Sequence, residues 1–230
     1  MEHIILIETS TSLCSTALVE NGEITAYRES SAPKAHASLT AVFINDMLAE
    51  KGLSMKDCDA VCVSMGPGSY TGLRVGVSTA KGLCFGAGKP LIAVGTLDTL
   101  VAQASSEGLI PEGCMYIVPM IDARRMEVYT AVFDPSGKQI TETAPMIIDE
   151  SSFSDILAEG PVLFIGDGAG KCSDVISNPN ARFIQCWPKA SSMLVPALSA
   201  YKEKRFEDVA YFEPFYLKEF VATVSKKKLW

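Results

Sequence analysis

The sequence predicts an α/β protein of two similarly built lobes, each a mixed sheet flanked by helices. Three observations carry this. Both halves open on an apolar run ended by one acidic residue: Ile4–Ile7 by Glu8, and Met115–Ile121 by Asp122. Each run is followed by a polar turn, a second strand, a turn with glycine (Gly22, Gly137) and a third strand, at nearly the same separation. The remaining stretches alternate helical patterns with short β-rich runs, as expected of strands joined by crossover helices. The 230 residues are enough for two cores. The expected lobes are residues 1–106 and 107–230, with segment 206–230 returning onto the first.

In the first lobe, His3–Ile7, Ser15–Val19 and Glu23–Glu29 read as an antiparallel meander. Asn21-Gly22 joins the last two strands, because a two-residue hairpin turn needs positive φ and both residues tolerate it. Ala37–Lys51 is a helix stopped by Gly52. Asp59–Met65 is a buried strand, Thr71–Phe85 a helix, Pro90–Val94 a short strand and Leu97–Ser105 a helix. In the second lobe the strands are Met115–Ile121, Met126–Phe133 and a stretch near Ile140–Ile148, with turns at Ala123-Arg124-Arg125 and Pro135-Ser136-Gly137. A helix near Phe153–Glu159, strand Val162–Ile165, a weak helix around Lys171–Ser177 and helix Ser192–Arg205 complete it. Two such duplicated lobes resemble the RNase H-like architecture of the actin/Hsp70/sugar-kinase superfamily, an analogy of fold alone.

The net charge of −7 removes the broad positive field that supplies most affinity for a phosphate backbone, so contact with nucleic acid would fall largely to a partner. The basic run Lys226-Lys227-Lys228 reads as a solvated terminus. The seven cysteines are odd in number, lack Cys-x-x-Cys spacing and sit mostly in apolar runs, which fits buried thiols in a reducing compartment. Cys58 and Cys62 have no second ligand pair at zinc-like spacing, so no metal site is expected. No leader-like segment and no apolar run of roughly 20 residues is present, which points to the cytoplasm and away from a membrane.

The most informative segment is Gly66–Gly76, GPGSYTGLRVG, between a buried strand and a helix. Gly66 and Gly68 permit a tight turn, Ser69 or Thr71 can cap the helix, and its first N–H groups suit an anion. Together with Glu8, Ser10, Asp122, Gly166 and Gly168 these residues mark a candidate anion or nucleotide vicinity. Gly72, Gly76, Ala80 and Cys84 recur every four residues, forming a shallow groove on one helix face. Two readings stay open: close packing within the lobe, or a subunit contact. On the preceding helix, apolar residues from Leu39 to Leu48 spread beyond a single stripe. That helix is either covered on two sides by its own chain or exposes a partner patch. The candidate partner interface is Leu39, Phe43, Met47, Gly72, Val75, Gly76, Thr79, Ala80 and Leu83.

The blocks ILIETSTSLCSTAL (5–18), GPGSYTGLRVGVSTAKGL (66–83), IDARRMEVYTAVF (121–133), IGDGAGK (165–171) and EPFYLK (213–218) resemble the TsaB family, also called YeaZ. They run nearly end to end, and GPGSYTGLRVG is highly specific. The resemblance implies a part in forming N6-threonylcarbamoyladenosine at position 37 of tRNA. It implies a non-catalytic accessory subunit that works with the catalytic paralogue TsaD and the ATPase TsaE and meets tRNA through that complex. Alone, the exposed patch is expected to drive a homodimer. No catalytic residue is assigned to this chain.

Three features bear on catalysis. The TsaD relatives carry a His-x-x-x-His pair where this chain has Thr96-Leu97-Asp98-Thr99-Leu100, and only His3 and His36 occur here. The hairpin turns after Glu8 and Asp122 lack the glycines with which superfamily kinases wrap phosphates. Gly166-Asp167-Gly168-Ala169-Gly170-Lys171-Cys172 is one residue short of a P-loop, and Cys172 stands where the metal-binding Ser/Thr belongs. No cofactor is therefore expected to be required by this chain, with ATP or ADP and Mg²⁺ expected, if anywhere, at the partner interface. The alternative is an ATP-dependent phosphotransferase or ATPase of the same superfamily, using Glu8; a peptidase is more distant still.

Overall fold

The computed structural model describes residues 2–218. The basic run Lys226–Lys228 lies outside the described residues. The first sheet contains β1 (His3–Glu8), β2 (Cys14–Glu20), β3 (Glu23–Ser30), β4 (Ala60–Gly66) and β5 (Leu91–Gly95) in the order β3-β2-β1-β4-β5. β1 is antiparallel to β2 and parallel to β4, and β4 is parallel to β5. The second sheet contains β6 (Tyr116–Asp122), β7 (Glu127–Thr130), β8 (Ala144–Ile147), β9 (Val162–Ile165) and β10 (Ala181–Ile184). Its order, read from β8, is β8-β7-β6-β9-β10, with the same sequence of antiparallel and parallel pairings. The shared strand order and senses are those expected of an internal duplication.

The strands alternate faces, and each face has its own cover. Ile5, Ile7, Val61 and Val63 pack against α1 (Ala35–Glu50) and α2 (Tyr70–Ala87), which contribute Ile44, Met47, Val77 and Ala80. Ile4, Leu6, Cys62 and Ile92 face the other way, against the 3-10 turn Ala190–Met193 and α6 (Leu194–Lys202). Helix α3 (Thr96–Ser106) follows the first sheet in sequence but packs Leu97, Leu100 and Ala104 on Ile117, Leu163 and Ile165 of the second. Helices α4 (Ser154–Glu159) and α5 (Ala169–Cys172) cover the opposite face of that sheet, with Leu157 and Cys172 against Met120 and Phe164. So α3 crosses to the second sheet and α6 returns to the first, which fuses the two lobes.

Segment 206–218 continues that return. The Glu207 N–H donates to Leu91 O at 2.8 Å and the Phe215 N–H to Met65 O at 2.8 Å. Lys81 Nζ donates to the carbonyls of Ala210 and Phe212 at 3.1 and 2.9 Å.

Several local expectations shift. The weak helix around Lys171–Ser177 is one turn placed earlier, at Ala169–Cys172. The expected helix Ser192–Arg205 starts as a 3-10 turn and stops at Lys202, where Lys204 turns left-handed (φ 55°) and the Arg205 N–H closes on Ala200 O. Strand β10 is an addition to the expected set. All seven cysteines are free, five buried and Cys114 and Cys186 half-buried. Among the described residues, no helix is long and apolar enough to cross a membrane.

Candidate functional site

Three places gather the residues singled out in the sequence. The first is the turn after β1. Glu8 is fully buried, and Ser10 N–H donates to its Oε1 at 2.7 Å. Burial pushes the Glu8 carboxyl up to about 7, a rise opposed by hydrogen bonding from Ser10. The Ser69 N–H donates to Ser10 O at 2.6 Å, and the Ser69 hydroxyl caps α2 by accepting from Gly72 N–H at 3.3 Å. A β-carbon on Gly68 would strike Ser10 O, one on Gly72 would strike Thr9 O, and one on Gly76 would strike Thr9 Oγ1. The glycines therefore let α2 close directly over the turn, where a phosphate cradle would otherwise open. Glu8 Oε2, Thr9 Oγ1 and Ser10 Oγ are buried there without a hydrogen-bond partner among the described residues.

The second place is the matching turn after β6, which is built differently. Asp122 is exposed and its Oδ1 accepts from Lys171 Nζ at 2.6 Å. Lys171 also donates to the carbonyls of Arg125 and Glu127, both at 2.7 Å. Asp167 Oδ1 accepts from the Asp122 N–H at 2.9 Å, and burial pushes its carboxyl up to about 6. A β-carbon on Gly166 (φ +132°) would strike Met120 O, and one on Gly168 would crowd Val128. The glycine-rich loop is thus filled by its own lobe, with Lys171 acting as a tie. Glu8 and Asp122 occupy corresponding strand ends in opposite environments, one sealed and one salt-bridged at the surface.

The third place is the α1–α2 face. Met47, Gly72, Gly76 and Ala80 are buried within the first lobe, so the Gly72–Cys84 stripe is the internal packing face of α2. This corrects their placement at a partner interface: of the two readings left open, intralobe packing accounts for them. Leu39, Phe43, Val75, Thr79 and Leu83 are half-buried. Beside them Val42 is 47% exposed and Phe85 is 85% exposed. A cavity of about 520 Å³ opens along α2, lined by Ala37, Tyr70, Arg74, Val75, Ser78 and Thr79. Further along the helix, Gly82 and Gly86 have nothing among the described residues within 4 Å of an added β-carbon. An exposed glycine costs about 1 kcal/mol against alanine in a helix interior, and among the described residues no contact offsets that at Gly82. Sequence reasoning missed this outer stripe, although Ser78, Gly82 and Gly86 repeat at the same four-residue spacing.

The two histidines do not meet. His3 begins β1, with Nδ1 3.1 Å from Asp57 O, whereas His36 Nε2 lies 2.9 Å from Thr11 O, past the other end of that strand. Among the described residues, no three of His, Cys, Asp and Glu gather as ligands of a metal ion would.

Residues 29–225 match the family model described as TsaD, tRNA N6-adenosine threonylcarbamoyltransferase. The chain is 31% identical to the tRNA threonylcarbamoyladenosine biosynthesis protein TsaB of Escherichia coli K12, over 95% of this chain and 96% of that one. YeaZ from Pseudomonas aeruginosa superposes with a TM-score of 0.80 at 26% identity, covering 94% of this chain and all (100%) of that structure. An inorganic polyphosphate/ATP-glucomannokinase from Arthrobacter shares the fold more distantly, with a TM-score of 0.50 at 12% identity over 88% of this chain and 100% of the kinase.

Proposed function

The chain belongs to the TsaB family of tRNA threonylcarbamoyladenosine biosynthesis proteins, paralogues of the TsaD transferases, and we propose that within this pathway it acts as a non-catalytic accessory subunit. It takes part in making threonylcarbamoyladenosine on tRNA, docked on a TsaD-like catalytic paralogue and working with a TsaE-like ATPase. The observation that carries this reading is the outer face of α2. Gly82 and Gly86 there are exposed and meet nothing among the described residues, and Phe85 of the same helix is exposed between them. Small residues let a second helix approach closely, and an apolar border supplies the area such a contact needs. A second copy of this chain fits the same face when the paralogue is missing.

The sealed turn over Glu8 supports the non-catalytic half of the proposal. A superfamily phosphotransferase needs its first turn open to phosphate, and here α2 occupies that space. ATP or ADP with Mg²⁺, if the assembly uses them, would then sit at the junction with the partner, with nothing bound by this chain alone. Reconstitution tests the reading. Omitting this chain from a mixture of TsaD-like and TsaE-like proteins, tRNA, ATP and the threonylcarbamoyl adenylate donor should abolish tRNA modification. Phe43→Glu and Gly82→Leu should each lose co-purification with the TsaD-like protein while still melting as cooperatively folded proteins. Phosphate release from ATP by the isolated chain, well above a mock preparation and lost in Glu8→Ala, would overturn it in favour of an ATPase.

A further inference from the structure

The first turn of the second lobe carries adjacent arginines, Arg124 and Arg125, both left-handed at φ 71° and 51°. Such backbone is uncommon for residues other than glycine and persists where the surroundings over-determine it. Lys171 holds the Arg125 and Glu127 carbonyls, and the Arg124 N–H donates to Asp122 Oδ1 at 2.7 Å. Both side chains are exposed, and among the described residues neither guanidinium has an ion-pair or hydrogen-bond partner. The turn is therefore fixed while its two cations face solvent.

These cations belong to a longer strip. Lys218 lies beside them, ion-paired with Glu127 and with its Nζ 5.8 Å from the Tyr129 ring centre. Tyr216 packs on Tyr70 with ring centres 5.0 Å apart, and the Arg74 guanidinium lies 5.4 Å from the Tyr70 ring. The strip thus runs from Arg74 on α2, across residues 216–218, to the arginine turn of the second lobe. Two of its carboxylates, Asp122 and Glu127, are paired with Lys171 and Lys218, and the third, Glu213, stands near Tyr216 with Arg74. On a chain of net charge −7 this is a local reversal of sign.

We propose that this strip is an RNA-binding surface, its cations meeting phosphates and its tyrosine faces meeting unstacked bases. Cations interleaved with aromatic rings suit single-stranded or looped RNA, whereas charge alone would serve an acidic protein equally well. The inference rests on the proposed place of this chain in tRNA modification, which makes tRNA the RNA concerned. At Arg74 the strip adjoins the α2 face proposed for the paralogue, so a tRNA held by that partner would lie beside it.

The probe is a fluorescently labelled, unmodified tRNA transcript, titrated against the chain alone at low salt and against its co-purified complex with the TsaD-like protein. Arg124→Asn with Arg125→Asn removes both charges and keeps a residue that tolerates the left-handed backbone. Binding should weaken about tenfold in both preparations, and the dependence of log affinity on log salt should become shallower by about 1–2. Lys218→Gln should give a smaller loss in the same direction. Equal affinity and equal salt dependence for wild type and double variant would overturn the proposal, as would no tRNA binding by the wild-type chain alone. Salt-dependent binding that is lost in the double variant, with no co-purification of wild type and TsaD-like protein, would support the strip and overturn the subunit reading.

Discussion

A β-carbon on Gly72 would run into the carbonyl oxygen of Thr9, so the helix that follows the strand–turn motif is pressed onto the turn it might have left open. Gly76 meets the Thr9 hydroxyl in the same way. Alanine at Gly72 gains helix propensity but overpacks a backbone carbonyl that cannot give, and overpacking costs about 1–3 kcal/mol. Gly72→Ala should therefore lower stability in chemical denaturation. Gly82→Ala and Gly86→Ala, on the open side of the same helix, should raise it by about 0.5–1 kcal/mol each. A Gly72→Ala variant as stable as wild type would show that the turn can move away.

The Glu8 carboxyl gives a pH dependence with a definite sign. Its folded-state value is about 7, against an ordinary carboxylate value of 4.5. The folded state holds this proton where the unfolded state has lost it, so stability falls as pH rises from about 4.5 through about 7. The expected change from this one group is on the order of 3 kcal/mol. Glu8→Gln cannot titrate. It should match wild type near pH 5 and be the more stable protein at pH 8, read as the difference between two denaturation curves so that other groups cancel. A constant difference across that range would mean the carboxyl is not enclosed.

What the sequence disclosed and withheld follows from what periodicity encodes. Asn21-Gly22 could be placed because the hairpin demands positive φ at both positions, and both have it, at 54° and 80°. The matched strand ends Glu8 and Asp122 were legible as a duplication. Their opposite environments were not, because the glycine face of α2 seals one turn while the other is tied by a lysine on a one-turn helix. The spacing of Gly72, Gly76 and Ala80 announced a close approach but could not say which element approaches. Strand β10, Ala181–Ile184, has four residues with an exposed Arg182 between half-buried neighbours, too short for an alternation to register. The crossing of α3 to the second sheet is a long-range choice that neither its own apolar stripe nor its caps determine.

Lys171 is a structural tie, and its loss should be local. Its ammonium bonds Asp122 Oδ1 and two backbone carbonyls, so Lys171→Met keeps the stem, strands the Arg125 carbonyl, and leaves Asp122 Oδ1 and the Glu127 carbonyl with only the N–H donors of Arg124 and Ala123. Hydrogen bonds from a charged donor contribute about 1.5–3 kcal/mol, less where water can replace them. The variant should lose about 1–2 kcal/mol in a thermal or denaturant melt. Hydrogen exchange should speed up at residues 122–127 while β1 and β4 stay protected. Uniform loss of protection in both lobes would show that the tie supports more than its turn.

The outer face of α2 separates a folding glycine from a docking one. Among the described residues Gly82 has nothing within 4 Å of an added β-carbon, so Gly82→Leu meets no clash there. On a surface that admits a second helix, the same leucine fills the space the helix needs. In sedimentation velocity the wild-type chain should associate with rising concentration, and Gly82→Leu should stay monomeric with a melting midpoint no lower than that of wild type. Phe85→Ser removes an 85% exposed ring and should weaken association more gradually, because the lost apolar area borders the close contact. If Gly82→Leu associates as wild type does while Phe85→Ser does not, the copies meet around Phe85 and beyond the end of the small-residue stripe.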